Sequence, residues 1–193
     1  MFERFTKDAR AVVKGAVEHC ERVGAQTVAA EHLLLALLDH GAGRGSFALA
    51  ALGLVERRDS VVRALDEARR RAGLSQADAD ALAGLGIDVS EIVSRVEEAH
   101  GVGAMSGGRA GRRGDGEKGW WGGHRPFGRD AKDVLVKSLR IAVARRERTI
   151  GDEHILLALT TGPGVPAEVL ADHGVTHESV TRVIGGGGEA KAG

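Results

Sequence analysis

The sequence contains one cysteine, Cys20, no tyrosine, and aromatic residues at only 3%. A lone cysteine cannot form an internal disulfide or a Cys-x-x-Cys zinc pair, and it agrees with a reducing, cytoplasmic setting. So few aromatics argue against a Tyr- and Val-rich sandwich and for an aliphatic core of packed helices. Net charge is also missing: Lys plus Arg number 27 and Asp plus Glu number 27. The chain therefore lacks the overall positive field of a dedicated nucleic-acid coat protein. No apolar run approaches the roughly 18 residues of a membrane span, and Met1-Phe2-Glu3-Arg4-Phe5 lacks a signal-peptide core, so secretion is not expected. No Gly-Lys pair occurs, which excludes a Walker A phosphate loop within this sequence. With 193 residues there is room for one medium domain or two small ones.

What is present is an internal duplication. At an offset of 122, Phe5-Thr6-Lys7-Asp8-Ala9-Arg10 lies over Phe127-Gly128-Arg129-Asp130-Ala131-Lys132. With no gap, Thr27 to Leu37 then lies over Thr149 to Leu159, pairing Glu31-His32-Leu33-Leu34-Leu35-Ala36-Leu37 with Glu153-His154-Ile155-Leu156-Leu157-Ala158-Leu159. Leu49 to Leu54 follows Leu170 to Val175 at an offset of 121.

Each copy reads as helical. Ala9, Val12, Val13, Ala16, Val17 and Cys20 recur at three- and four-residue steps, as do Ala131, Val134, Leu135, Leu139 and Ala142. Asp152 is expected to cap the helix that follows it, Ala30 stands at the matching position, and Gly53 and Gly174 are expected helix stops. Residues 56–72 read as a charged amphipathic helix carrying Val61, Val62, Leu65 and Ala68 on one side. The segment 88–100 is read as the last helix of the first repeat, which makes the stretch near 56–83 an insertion. Gly- and Arg-rich residues 101–125 read as a flexible linker in which Trp120-Trp121 could dock on a repeat. The expected organisation is a first repeat over 1–100, the linker over 101–125, a second repeat over 126–184, and a disordered tail over 185–193. The fold class is all-α, built from two helical repeats.

Met1-Phe2-Glu3-Arg4-Phe5-Thr6 with Ala9-Arg10, and the two Glu-His-(Leu/Ile)-Leu-Leu-Ala-Leu blocks, resemble the N-terminal domain of Clp-type AAA+ unfoldases, especially the ClpC class. The resemblance covers roughly 1–54, 84–100 and 126–184, and implies two pseudo-twofold-related helical repeats packed into one globular domain. It implies a stand-alone relative without the motor: a non-catalytic module, with no cofactor and no metal, that recognises degradation-tagged proteins and modulates Clp proteolysis as adaptor, reservoir or decoy. It also implies a site for phosphorylated arginine on Glu31 with Thr6, and a second on Glu153 with Gly128. In each, a carboxylate would take the guanidinium fork while a hydroxyl and helix-end N–H groups take the phosphate. Gly128 offers no hydroxyl. Phe2, Arg10, Lys132 and Val136 stand where cyclic-peptide antibiotics dock on this family, with Val136 in place of a frequent acid.

The residues admit plainer readings too. Glu31 and Glu153 fall in first turns, where a carboxylate interacts favourably with the helix dipole for about 0.3–1 kcal/mol. His32 and His154 read as packing or hydrogen-bonding residues, and Cys20, on the apolar face, as a buried structural thiol. Two rival functions are an interaction protein whose partner is the Clp unfoldase itself and a small nucleic-acid-associated regulator. The latter would use the linker arginines beside Trp120-Trp121.

Overall fold

The two copies are joined by a pair of crossed backbone bridges, Phe5 to Ile150 and Val28 to Phe127, both parallel. Adding 122 to Phe5 and Val28 gives Phe127 and Ile150, so one contact maps onto the other by the pseudo-twofold. The first is closed by Thr6 N–H to Ile150 O at 2.9 Å and Ile150 N–H to Arg4 O at 2.7 Å. The second repeats this with Gly128 N–H to Val28 O at 2.9 Å and Val28 N–H to Pro126 O at 2.8 Å. The structure, a computed structural model, describes residues 2–71, 74, 76–100 and 125–186, without the side chains of Phe2 and residues 76–78. The expectations for Trp120, Trp121, most of the linker and residues 187–193 lie outside the described residues.

After a short 3-10 turn at Phe2–Arg4, the described residues form ten helices: α1 Lys7–Arg22, α2 Ala30–His40, α3 Gly43–Ala51, α4 Arg58–Arg70, α5 Gln76–Gly84, α6 Val89–His100, α7 Arg129–Ala144, α8 Asp152–Thr161, α9 Val165–Asp172 and α10 His177–Gly186. Apart from the two bridges no strand occurs among the described residues, and the all-α reading holds. α10 continues through Gly186, beyond the sequence boundary at 184.

Helix starts follow local chemistry. Thr6 has extended backbone and its Oγ1 accepts the Ala9 N–H at 3.2 Å, capping α1, whereas Gly128 caps α7 with backbone alone. The buried faces of α1 (Ala9, Val12, Ala16, Cys20) and α7 (Ala131, Val134, Ser138, Ala142) sit 122 residues apart, position for position. Cys20 is fully buried and its thiol reaches Ala25 O at 3.3 Å, as expected of a structural residue. At the centre, α2 packs on α8. Leu33, Leu34 and Leu37 face a core with Ile155, Leu156 and Leu157, all fully buried. Each such side chain stabilises the fold by about 1.5–3 kcal/mol.

Tertiary packing corrects one assignment. α10 rests on α3 and α8, and the helix in the equivalent place on α9 and α2 is α4. Val61 and Leu65 of α4 are buried as are Val180 and Ile184 of α10. Ser60 fixes α4 to α9 by a 3.1 Å hydrogen bond with His173 Nε2. The segment that completes the first repeat is therefore 58–70, not 88–100; α5 and α6 are the addition, α6 resting on α4. The match of Gly86-Ile87 with Gly174-Val175 reflects a shared turn, since both glycines have positive φ, and not shared packing.

Candidate functional site

The repeated Glu-His motif marks two helix starts, and its histidines have a defined job. His32 Nδ1 accepts the Ala29 N–H at 2.8 Å, and His154 Nδ1 accepts the Gly151 N–H at 2.9 Å. Both rings take over the capping function of the Glu in an ordinary capping box. An Nδ1 that accepts must be unprotonated, so each ring is neutral with its proton on Nε2. Burial lowers both from the ordinary histidine value, His32 to about 4.

Asp152 does not cap its own helix; Gly151 holds the N-cap position and Asp152 is the first helical residue. Its Oδ2 instead accepts the Gly45 N–H at 2.9 Å and the Ser46 N–H at 3.1 Å, capping α3 from the other repeat. A carboxylate at the start of a helix interacts with whichever orphan N–H groups approach, and here those belong to α3.

The bridges also cross the expected pairing of site residues. Thr6 binds Ile150, three residues before Glu153, and Gly128 binds Val28, three residues before Glu31. Within one repeat, by contrast, neither carboxylate is joined to the residue expected to share its ligand. The hydroxyl of Thr6 accordingly lies at the Glu153 end, and Gly128 with Asp130 at the Glu31 end. Asp130 Oδ2 accepts the Ala30 N–H at 2.7 Å, occupying the first free donor of α2.

The two carboxylates are in different states. Glu153 is buried, and Arg44 of α3 donates from Nη1 to its Oε1 at 3.2 Å. Burial raises its pKa above the ordinary value despite Arg44 and its own backbone N–H. Glu147, Glu153 and His154 bring potential metal-ligating atoms within 4.8 Å of one another. The chemistry favours an ion-pair network there: Arg44 reaches both glutamates, the second at 3.9 Å. His154 Nε2 carries the proton that its cap requires, so it presents no lone pair to a metal. His173 and His177, four apart, flank the Gly174 turn, and His173 is held between Val169 O and Ser60.

Glu31 has no such partner. Its side chain is 23% exposed, with His32 Nε2 at 3.8 Å and no ion pair with Arg or Lys among the described residues. Burial raises its pKa to about 7, against the charge of Arg69, and Asp130, Asp66 and Glu97 add to the rise. Arg69 acts on it only through space, its own ion pair being with Asp66 at 3.5 Å, so the Glu31 carboxylate makes no ion pair with a guanidinium and can receive one. In the duplication Arg44 corresponds to Val165, 121 residues on, which is why Glu31 is left open.

Arg10 is exposed, its Nε 3.4 Å from Thr6 O; Lys132 and Val136 are exposed on α7; the side chain of Phe2 lies outside the described residues. Val136 lines a groove of about 770 Å³ between α7, the end of α8 and the start of α9, whose wall also holds Ala30 and Asp130. Arg10 and Lys132 do not line it. Arg44, Asp130 and Val165 were missed in the sequence; comparing the copies position by position, rather than seeking shared residues, would have exposed the Arg44–Val165 difference.

Residues 126–189 match the family described as the Clp repeat (R) N-terminal domain. The chain is 27% identical over 198 residues to a ClpA homolog, an ATP-dependent Clp protease ATP-binding subunit of Cyanidium caldarium, covering 100% of this chain and 18% of that protein. It is 30% identical over 190 residues to the chloroplastic chaperone protein ClpC2 of Oryza sativa subsp. japonica, covering 96% and 16%. It is 28% identical over 177 residues to the negative regulator of genetic competence ClpC/MecB of Bacillus subtilis, covering 91% and 16%. The chain thus spans less than a fifth of the length of these relatives. Among solved structures it is similar to the N-terminal domain of the chaperone ClpD from Arabidopsis thaliana, at 17% identity and a TM-score of 0.49, covering 98% of this chain and 100% of that one. No helix among the described residues is long and apolar enough to cross a membrane. Over nearly its whole length the chain is similar to ClpA and ClpC proteins, and its residues 126–189 match the Clp repeat (R) N-terminal domain.

Proposed function

We propose that this chain is a non-catalytic peptide- and protein-recognition module acting beside Clp proteolysis, and that Glu31 accepts a guanidinium group of the bound protein. The observation that carries the reading is internal to the molecule. At the second copy of the motif, Glu153 already holds a guanidinium, that of Arg44, at 3.2 Å. At the first copy Val165 stands in the place of Arg44, so the same receptor is left without its cation.

The finer reading, a phosphorylated arginine as degradation tag, asks more of the site. The phosphate would need donors at the starts of α2 and α7. There the Ala30 N–H is taken by Asp130, and Gly128 supplies no hydroxyl. An unmodified arginine, wholly cationic, suits Glu31 and Asp130 better on electrostatic grounds. Calorimetric titration with N-acetyl-arginine amide and with phosphoarginine compares the two. Glu31→Gln should weaken the guanidinium ligand roughly 10- to 150-fold, the loss of one charge-assisted hydrogen bond. Glu153→Gln should change it by less than about 3-fold. Failure of both ligands to bind the parent protein overturns the reading, and binding that ignores Glu31→Gln does the same. Cyclic peptides, titrated in parallel, test the part of the proposal that concerns Arg10, Lys132 and Val136.

A further inference from the structure

The two copies differ at one more place, and the difference opens a cavity. In the first, α3 closes on the start of α8 because Gly45 and Ser46 give their N–H groups to Asp152. A Cβ at Gly45 would stand 2.8 Å from the Asp152 backbone, so only glycine permits the approach. In the second copy the equivalents are Pro166, which has no N–H, Ala167, and Ala30, which has no carboxylate. The second copy thus lacks one of the two donors and the acceptor of that closure, and the Ala167 N–H goes to Gly164 O at 3.1 Å instead. The groove of about 770 Å³ lies there, walled by Val134, Ile141, Leu159, Pro163 and Pro166. That volume is within the usual range for a bound ligand, roughly 300–1,000 Å³.

Its charges are segregated along α7. Asp130 and Asp133 stand at one end, with Arg129 among them; Lys137 and Arg140 stand at the other. Asp130 accepts the N–H of Ala30, the neighbour of Glu31, at 2.7 Å, and both Ala30 and Asp130 line the groove, so its acidic end begins one residue from the open carboxylate. Lys137 is engaged with Thr161 O at 2.5 Å, whereas no described residue pairs with Arg140. From Asp130 to Arg140 is ten residues of helix, about 15 Å at a rise of about 1.5 Å each. An extended peptide covers that span in four to five residues at about 3.3 Å each.

We infer that the groove is a peptide-binding site for an extended segment that begins with arginine at Glu31, continues with about three aliphatic residues over Val134, Ile141 and Pro166, and ends with an acidic residue at Arg140. This deepens the guanidinium reading of Glu31 and rests on it. The segment's charges mirror the groove's, and its aliphatic middle removes the apolar walls from water.

The test is fluorescence anisotropy of labelled Arg-Leu-Val-Leu-Glu, with Ala-Leu-Val-Leu-Glu and N-acetyl-arginine amide as competitors. Arg-Leu-Val-Leu-Glu should bind at least about 10-fold tighter than N-acetyl-arginine amide, as expected from burying several apolar side chains. Arg140→Glu should weaken the pentapeptide about 10-fold or more and leave N-acetyl-arginine amide unchanged, while Arg140→Gln gives an intermediate loss. A pentapeptide that gains nothing over the single arginine, or that ignores both Arg140 variants, overturns the groove proposal while leaving the Glu31 reading standing. Equal affinity of the arginine-led and alanine-led peptides overturns the Glu31 reading, and with it the register proposed here, even where Arg140 still matters.

Discussion

Asp152 of one repeat caps the helix of the other: its Oδ2 takes the Gly45 N–H at 2.9 Å in a buried setting. The carboxylate also takes the Ser46 N–H, so a single side chain satisfies two otherwise orphaned donors of α3. Asp152→Ala should therefore cost about 1–3 kcal/mol, the price of unsatisfied buried donors. In a chain of this size that lowers the melting temperature by several degrees. Asp152→Asn keeps an acceptor and should cost less than Ala. Calorimetric melting of the two variants checks the order, and equal melting of Asp152→Ala and the parent would remove the cross-repeat cap from the account.

Gly43 has φ +92° and a Cβ there would fall inside the Asp152 carboxylate, whereas Gly24 has φ +69° and open space around it. Both sites penalise an L side chain by about 1–2 kcal/mol through backbone strain. Only at Gly43 must the cap also move. Gly43→Ala should thus destabilise more than Gly24→Ala by about 1 kcal/mol or more. Arg146, the counterpart of Gly24, adopts φ 59° with a side chain present, so the lower cost at Gly24 is already met once in this chain. Urea unfolding of the two variants measures the gap, and a gap of zero would show that Asp152 yields freely.

The duplication was legible because its markers act locally. Phe5 and Phe127 lead into a helix cap, and Glu31-His32 and Glu153-His154 open helices whose N-cap donors the histidines satisfy. What the sequence could not reveal is decided across the two copies. Thr6 lies with Ile150 and not with Glu31, because the bridges exchange the helix starts. Asp152 carries the signature of an N-cap, but the donors it meets come from α3. α4 and α6 are both amphipathic, and only packing on α9 and α2 shows that α4 completes the first repeat.

Glu31 and His32 tie stability to pH in opposite directions. Burial raises the Glu31 pKa to about 7, above its unfolded value, so the stability it contributes is full below about pH 4.5 and lost as pH rises through about 7. Burial lowers His32 to about 4, so its contribution is full above about pH 6.5 and lost as pH falls through about 4. Glu31→Gln removes the first dependence. The variant should gain on the parent between pH 5 and 8, by on the order of 1–2 kcal/mol once solvent screening at the partly exposed side chain is allowed for. Melting curves across that range read the difference directly, and a difference that does not grow with pH would mean that the carboxylate sits at its ordinary value.

Val165→Arg asks whether Arg44 is the template that the Glu31 site lacks. Val165 is the first residue of α9, as Arg44 is in the first turn of α3, so the new side chain starts from the place equivalent to Arg44. There it would meet Glu31, which no Arg or Lys now pairs with, and Asp130, already committed to the Ala30 N–H at 2.7 Å. Two effects are expected together. The internal ion pair should hold Glu31 ionised and change stability by no more than about 1 kcal/mol, since Arg44 itself remains 55% exposed in its own pair. It should also compete with any external guanidinium, weakening N-acetyl-arginine amide by about 10-fold or more because the carboxylate is already forked. Val165→Lys should compete less, as an ammonium lacks the planar fork. A cation at 165 that leaves arginine binding untouched would show that the two copies are not equivalent at this point, and that Arg44 is no template for an external ligand at Glu31.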